Sequence, residues 1–137
     1  MSDFFAGMTT AASGMRVQSE RQRVIAENIA NADNIPLTPG GTPYTRKMVL
    51  FKNEMDKTSG AEVVKIEQIR KDTKTPYTQK YMPGHPGADA SGYVMTPNVN
   101  SLVEMTDSRE ASRSYEANMM MFTQSRDMGQ RLIDVLR

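Results

Sequence analysis

Apolar or small side chains recur in alternating steps of four and three at both ends of this chain, and no proline interrupts either run. The first run passes through Phe4, Met8, Ala11 and Met15, crosses Gln18 and Gln22, and resumes at Ile25, Ile29 and Ala32. That spacing keeps one seam of a helix turned to a single partner, as in a coiled coil. Arg16, Glu20, Arg23 and Glu27 fall on the opposite face. The pattern predicts a helix over 3–33, ~45 Å long at ~1.5 Å per residue. It ends near Asn31-Ala32-Asp33-Asn34, because Asn tolerates the left-handed cap conformation and Pro36 forbids continuation.

The second run mirrors the first. Ser101-Leu102-Val103-Glu104 has the spacing of a capping box, in which Ser and Glu satisfy exposed backbone N–H groups reciprocally. A seam follows at Met105, Ser108, Ser112, Tyr115, Met119, Phe122, Arg126, Gly129, Ile133 and Leu136. Prolines and most turn signals lie between the two runs, in residues 35–97. There, 45–51 and 62–69 concentrate β-favouring residues and predict two strands of a hairpin. Residues 71–97 offer few apolar anchors and are expected to lie extended against something else. The fold class is therefore mainly α, of α+β type. Long N- and C-terminal helices (1–34 and 98–137) form a coiled-coil-like pair, and 35–97 is a small β-containing middle segment.

Only 38% of the residues are apolar, thin cover for helices of this length, since burial must offset the ordering of the backbone. One reading is an ordinary helical hairpin folded within one chain. The favoured one adds burial of both seams against other molecules, because both run to the chain termini. Net charge is +1, which supplies no field for nucleic acid or an anionic membrane. The local bias at 45–80, nine Lys/Arg against five Asp/Glu, reads as a solvated face. Absence of cysteine excludes disulfides and thiolate chemistry. The N-terminal residues lack a basic start and continuous apolar core, so no cleaved secretory signal is expected. No run approaches the ~20 apolar residues that span a bilayer.

Ser19 to Ala32, and within it Asn28-Ile29-Ala30-Asn31-Ala32, resembles the N-terminal motif of the flagellar rod, hook and hook-associated protein family. Pro97-Asn98-Val99-Asn100, followed by Ser112-Arg113-Ser114-Tyr115-Glu116-Ala117-Asn118, is similar to the family's C-terminal signature. Pro83 to Val94 resembles a segment of one member. The resemblance implies a non-enzymatic axial subunit of the basal-body rod, exported through the flagellar type III apparatus without signal cleavage. Polymerisation would take place in the periplasm. The implied partners are further copies, other proximal and distal rod subunits, the membrane ring at the rod junction and the export apparatus. Nucleic acid and direct membrane insertion are not among them. Seam and motif together nominate a polymerisation interface of Phe4, Met8, Ala11, Met15, Ile25, Asn28, Ile29, Asn31, Tyr115, Asn118, Met119, Phe122, Ile133 and Leu136.

Several features carry a plainer reading beside the functional one. Gln18 and Gln22 are either solvated or buried to specify register. Asn28 and Asn31 are either cap residues or specific contacts in a polymer. The twelve methionines suit adaptable packing better than a metal or cofactor. The single histidine, His85, sits in a Pro/Gly loop with no carboxylate or cysteine spaced to join it in a metal site. No catalytic, cofactor or metal residue is expected. The main rival is another rod or hook-family axial subunit, and a soluble helical adaptor or chaperone is the rival from another class.

Overall fold

A computed structural model describes residues 2–136 of the chain. The order of elements is α1 (Ser2–Ala30), β1 (Lys47–Met55), β2 (Glu62–Lys71), β3 (Thr78–Tyr81), β4 (Tyr93–Thr96) and α2 (Ser101–Val135). Two long helices thus flank two small antiparallel sheets, β1-β2 and β3-β4.

The helices run side by side in opposite directions. Phe4 meets Gly129, Gly7 meets Ser125 and Gly14 meets Asn118, Gln22 donates to the Ser112 hydroxyl at 2.7 Å, and Asn28 reaches Glu104. Glycine lets the axes close up at these points. A Cβ on Gly129 would stand 2.3 Å from the Phe4 ring, and one on Gly14 would stand 2.7 Å from the Asn118 amide. The face of α2 turned to α1 follows Glu104, Ser108, Ala111, Tyr115, Asn118, Phe122, Ser125 and Gly129, all buried or half-buried. The expected seam agrees at Ser108, Tyr115, Phe122 and Gly129. At alternate positions it is one residue off, because Met105, Met119, Arg126 and Ile133 are exposed. Close packing here selects small and polar side chains over the most apolar neighbour. Helix α2 is also capped differently from expectation. The Asn100 side chain accepts from the N–H groups of Leu102 and Val103, and the Glu104 carboxylate turns inward instead of closing a capping box.

Strand β2 lies against α1, and two hydroxyls of the helix pin it there. Thr10 donates to the carbonyl of Glu62, and Ser13 accepts from the N–H of Val64. Strand β1 pairs with β2 through a bulge between Leu50 and Phe51. The hairpin turn closes on Gly60 at φ 67°, with the Asp56 carboxylate accepting from Ser59. Residues 71–97 do not lie extended as expected. They fold back through β3 and β4, joined by an 82–92 loop in which the Asp89 side chain accepts from the N–H groups of Ser91 and Tyr93. The loop rests on the segment after α1 so closely that a Cβ on Gly87 would stand 2.0 Å from the Pro36 carbonyl oxygen. The apolar core is small. Val17, Val24 and Ile25 of α1 are buried, with Ala111 of α2 and Val63 of β2, and Val94 of β4 is buried away from the helix pair.

Candidate assembly surface and its polar anchor

Where both helices meet the middle segment, the interior is polar. Asn28, Asp72, Asn98 and Glu104 are all buried, Glu104 completely. The Asn28 amide donates to the Lys47 carbonyl (2.9 Å) and to Glu104 Oε2 (3.1 Å), and its oxygen accepts from Tyr44 OH and the Lys47 N–H (2.9 Å each). That uses the full capacity of a carboxamide. Arg46 Nε donates to Glu104 Oε1 at 2.5 Å, and its guanidinium also approaches Asp107 (3.6 Å) and Asp72 (4.0 Å). Asn98 accepts from the Arg46 N–H and donates to the carbonyls of Asp72 and Thr75. Lys47 Nζ pairs with Glu27. Burial raises the pKa of the Tyr44 hydroxyl, and the nearby Glu27 and Glu104 carboxylates add to the effect. The phenol therefore keeps the proton it gives to Asn28.

This anchor joins α1, α2, the start of β1, the turn after β2 and the strand end before α2. The asparagines of the recognised motifs, Asn28 and Asn98, are its hydrogen-bonding hubs. A buried charge is tolerable only when paired and hydrogen-bonded, and here both Glu104 oxygens have partners.

Asp72 gives the anchor a pH dependence. Hydrogen bonds from the Thr75 hydroxyl and the N–H groups of Thr75 and Lys74, with the Arg46 charge nearby, hold its carboxyl below the ordinary aspartate value. A depressed folded-state pKa adds stability that is full above the unfolded value of about 4 and is lost as pH falls through the folded one. The Asp72→Asn variant is expected to be less stable than the parent at pH 7. The gap should narrow steadily below about pH 4 in urea titrations across that range.

The nominated interface residues separate into distinct settings. Ala11, Ile25 and Asn28 are buried inside the single chain, so the seam burial expected from neighbours is met at these positions by the chain itself. Asn31 caps α1, donating to the Glu27 carbonyl and accepting from the Asn34 amide. Phe4, Met8, Met15, Ile29, Tyr115, Asn118 and Phe122 are half-buried. Gln22 is tied to Ser112, whereas the Gln18 side-chain oxygen is buried without a partner among the described residues. Met119, Ile133 and Leu136 are exposed. At the far end of the helix pair, Phe4, Phe5 and Met8 face Leu132, Ile133 and Leu136 across an open, almost wholly apolar cleft of ≈ 570 Å³. Sequence reasoning missed Tyr44, Arg46, Asp72, Asn98 and Glu104 as a group. Only the motif asparagines carried a signal toward them.

A family model described as "Flagella basal body rod protein" matches residues 8–34, and one described as "Flagellar basal body rod FlgEFG protein C-terminal" matches residues 90–135. The flagellar basal-body rod protein FlgC of Agrobacterium fabrum is 46% identical over 137 residues, covering 100% of this chain and 98% of that protein. Its counterpart in Salmonella typhimurium is 38% identical over 118 residues, 86% of this chain and 87% of the relative. That of Borreliella burgdorferi is 34% identical over 151 aligned positions, 97% of each. Similarity at this level from one helix through the middle segment to the other leaves one assignment: the chain belongs to the FlgC family of flagellar basal-body rod proteins.

Proposed function

We propose that this chain builds the proximal part of the flagellar rod by burying the outer faces of its helical hairpin against neighbouring subunits. The chain is a structural subunit of the basal-body rod, not an enzyme. One observation carries the mode of assembly: α2 remains apolar on both sides of the strip that α1 covers. Met105, Met119 and Ile133 recur in multiples of seven along one flank, and Met121, Met128, Leu132 and Val135 (i, i+7, i+11, i+14) along the other, all exposed. A monomer rarely leaves such a surface open unless it is a contact site. In this reading 1–34 and 98–137 are the polymerising segments, paired in coiled-coil fashion, and 35–97 forms the outer element of the wall. Neighbours are other rod subunits, the ring at the rod base and, before assembly, the type III export apparatus, with the rod itself in the periplasm. The anchor holds the middle segment rigidly to the helices, as a shaft under torque requires.

The absence of cysteine makes the test direct. Ile133→Cys and Met121→Cys are expected to react readily with a maleimide in the purified subunit and to be protected in isolated basal bodies. Thr58→Cys, at the tip of the β1-β2 hairpin, serves as the reference in both states. Equal labelling of Ile133→Cys and Met121→Cys in the two states would overturn the assembly surface.

A further inference from the structure

The methionine run 119–121 is more than adaptable packing material. Met119, Met120, Met121 and Met128 expose 46%, 66%, 59% and 55% of their surface in the second half of α2. Leu132, Ile133 and Val135 follow them and are exposed too. With no cysteine in the chain, thioethers are its only sulfur. A thioether needs no deprotonation to react, so exposure governs how fast an oxidant reaches it. The half-buried Met15 and Met48 are correspondingly shielded.

We propose that these exposed methionines, set on both flanks of the strip that α1 covers, make the assembly surface of α2 oxidation-sensitive, modified in the free subunit by peroxide-class oxidants. The inference rests on the reading of α2 as a subunit contact. In the reaction a sulfur lone pair attacks one peroxide oxygen and the O–O bond breaks. The sulfur gains that oxygen and is oxidised by two electrons, while hydrogen peroxide is reduced to water. Each sulfoxide places a strong dipole and hydrogen-bond acceptor where assembly needs a desolvated apolar side chain. Oxidation of the free chain therefore blocks its incorporation, whereas the finished rod shields the same sulfurs. A dithiol-dependent reductase restores the surface, the oxygen leaving as water while the dithiol is oxidised to a disulfide.

The test has two parts. Peptide mass spectrometry after hydrogen peroxide treatment is expected to find oxygen added at residues 119, 120, 121 and 128 in the purified full-length subunit, with little added in isolated basal bodies. Equal oxidation in both would sink the contact reading on which the inference rests. In the second part, cells regrow flagella after a peroxide pulse. Those with the native chain are expected to lose rod completion. Those with Met105→Leu, Met119→Leu, Met120→Leu, Met121→Leu and Met128→Leu combined, near volume-conserving changes, are expected to retain it. The control is Met55→Leu with Met95→Leu, exposed methionines of the β-hairpins, which should give no rescue. Loss of completion in the Leu-substituted cells equal to that in native cells, or rescue by the hairpin control, would overturn oxidation control by these methionines while leaving the contact reading intact. If the Leu-substituted chain fails to assemble without peroxide, the native chain decides the matter. Sulfoxide-bearing subunits recovered in new rods as often as unmodified ones would overturn the proposal, and their exclusion would sustain it.

Discussion

Glu104→Ala is expected to lower the unfolding free energy by about 3–5 kcal/mol, the cost of removing one partner from a buried charge pair. Against a total of roughly 5–15 kcal/mol for a domain, that is a large share of the whole stability. The magnitude follows from what the carboxylate holds. One oxygen takes the Arg46 Nε and the other the Asn28 amide, and Glu104 itself is fully enclosed. Alanine would leave an amide hydrogen unmatched and a guanidinium still facing Asp72 and Asp107, with a void between helices. A urea titration followed by far-UV circular dichroism measures the loss. The double variant Glu104→Leu with Arg46→Met should recover a good part of it, because an apolar pair removes the desolvation burden along with the attraction. An unchanged urea midpoint for Glu104→Ala would show that the anchor does not bind the middle segment to the helices.

The anchor also explains which parts of the fold were legible in the residue order. Helix α1 was, because its period persists over eight turns and a proline follows closely. The β1-β2 hairpin was, because β-favouring residues cluster at 45–51 and 62–69. Helix α2 was legible as a helix but not in its inward face. Ranking by apolarity picks Met105 and Met119 over Glu104 and Asn118, whereas close packing against Gly14 and the anchor requires the reverse. Strands β3 and β4 were hidden for another reason. Thr78–Tyr81 is short and exposed on every residue, and its pairing depends on the Asp89 turn and Gly92 at φ 82°, not on a buried face. The partners of Asn28 lie 16, 19 and 76 residues away. No local pattern reports such a contact, so the motif marked the residue without revealing its role. Here the asparagine that looked like a contact for other molecules is spent on holding its own chain together.

That distinction decides which substitutions speak to assembly. Ile25→Asp would bury a carboxylate in the core beside Val24 and unfold the subunit, so loss of motility in that variant would say nothing about contacts in the rod. Ile133→Asp combined with Leu136→Asp is informative, because these side chains are 65% and 81% exposed in the single chain. Exposed substitutions of this kind shift stability by about 0.5 kcal/mol or less, so the purified variant should melt within a few degrees of the parent. In the rod the same carboxylates would have to leave water beside Phe4, Phe5 and Leu132, at a cost of several kcal/mol each without a partner. Two per subunit, repeated around a shaft, exceeds what the remaining contacts can offset. The expected outcome is a folded, exported subunit absent from isolated basal bodies and a loss of swimming in soft agar. The conservative pair Ile133→Val with Leu136→Met should swim normally. Full motility in the Asp variant would mean that the apolar end of the helix pair stays in solvent in the assembled rod, and the contacts would then have to be sought on the β-hairpins.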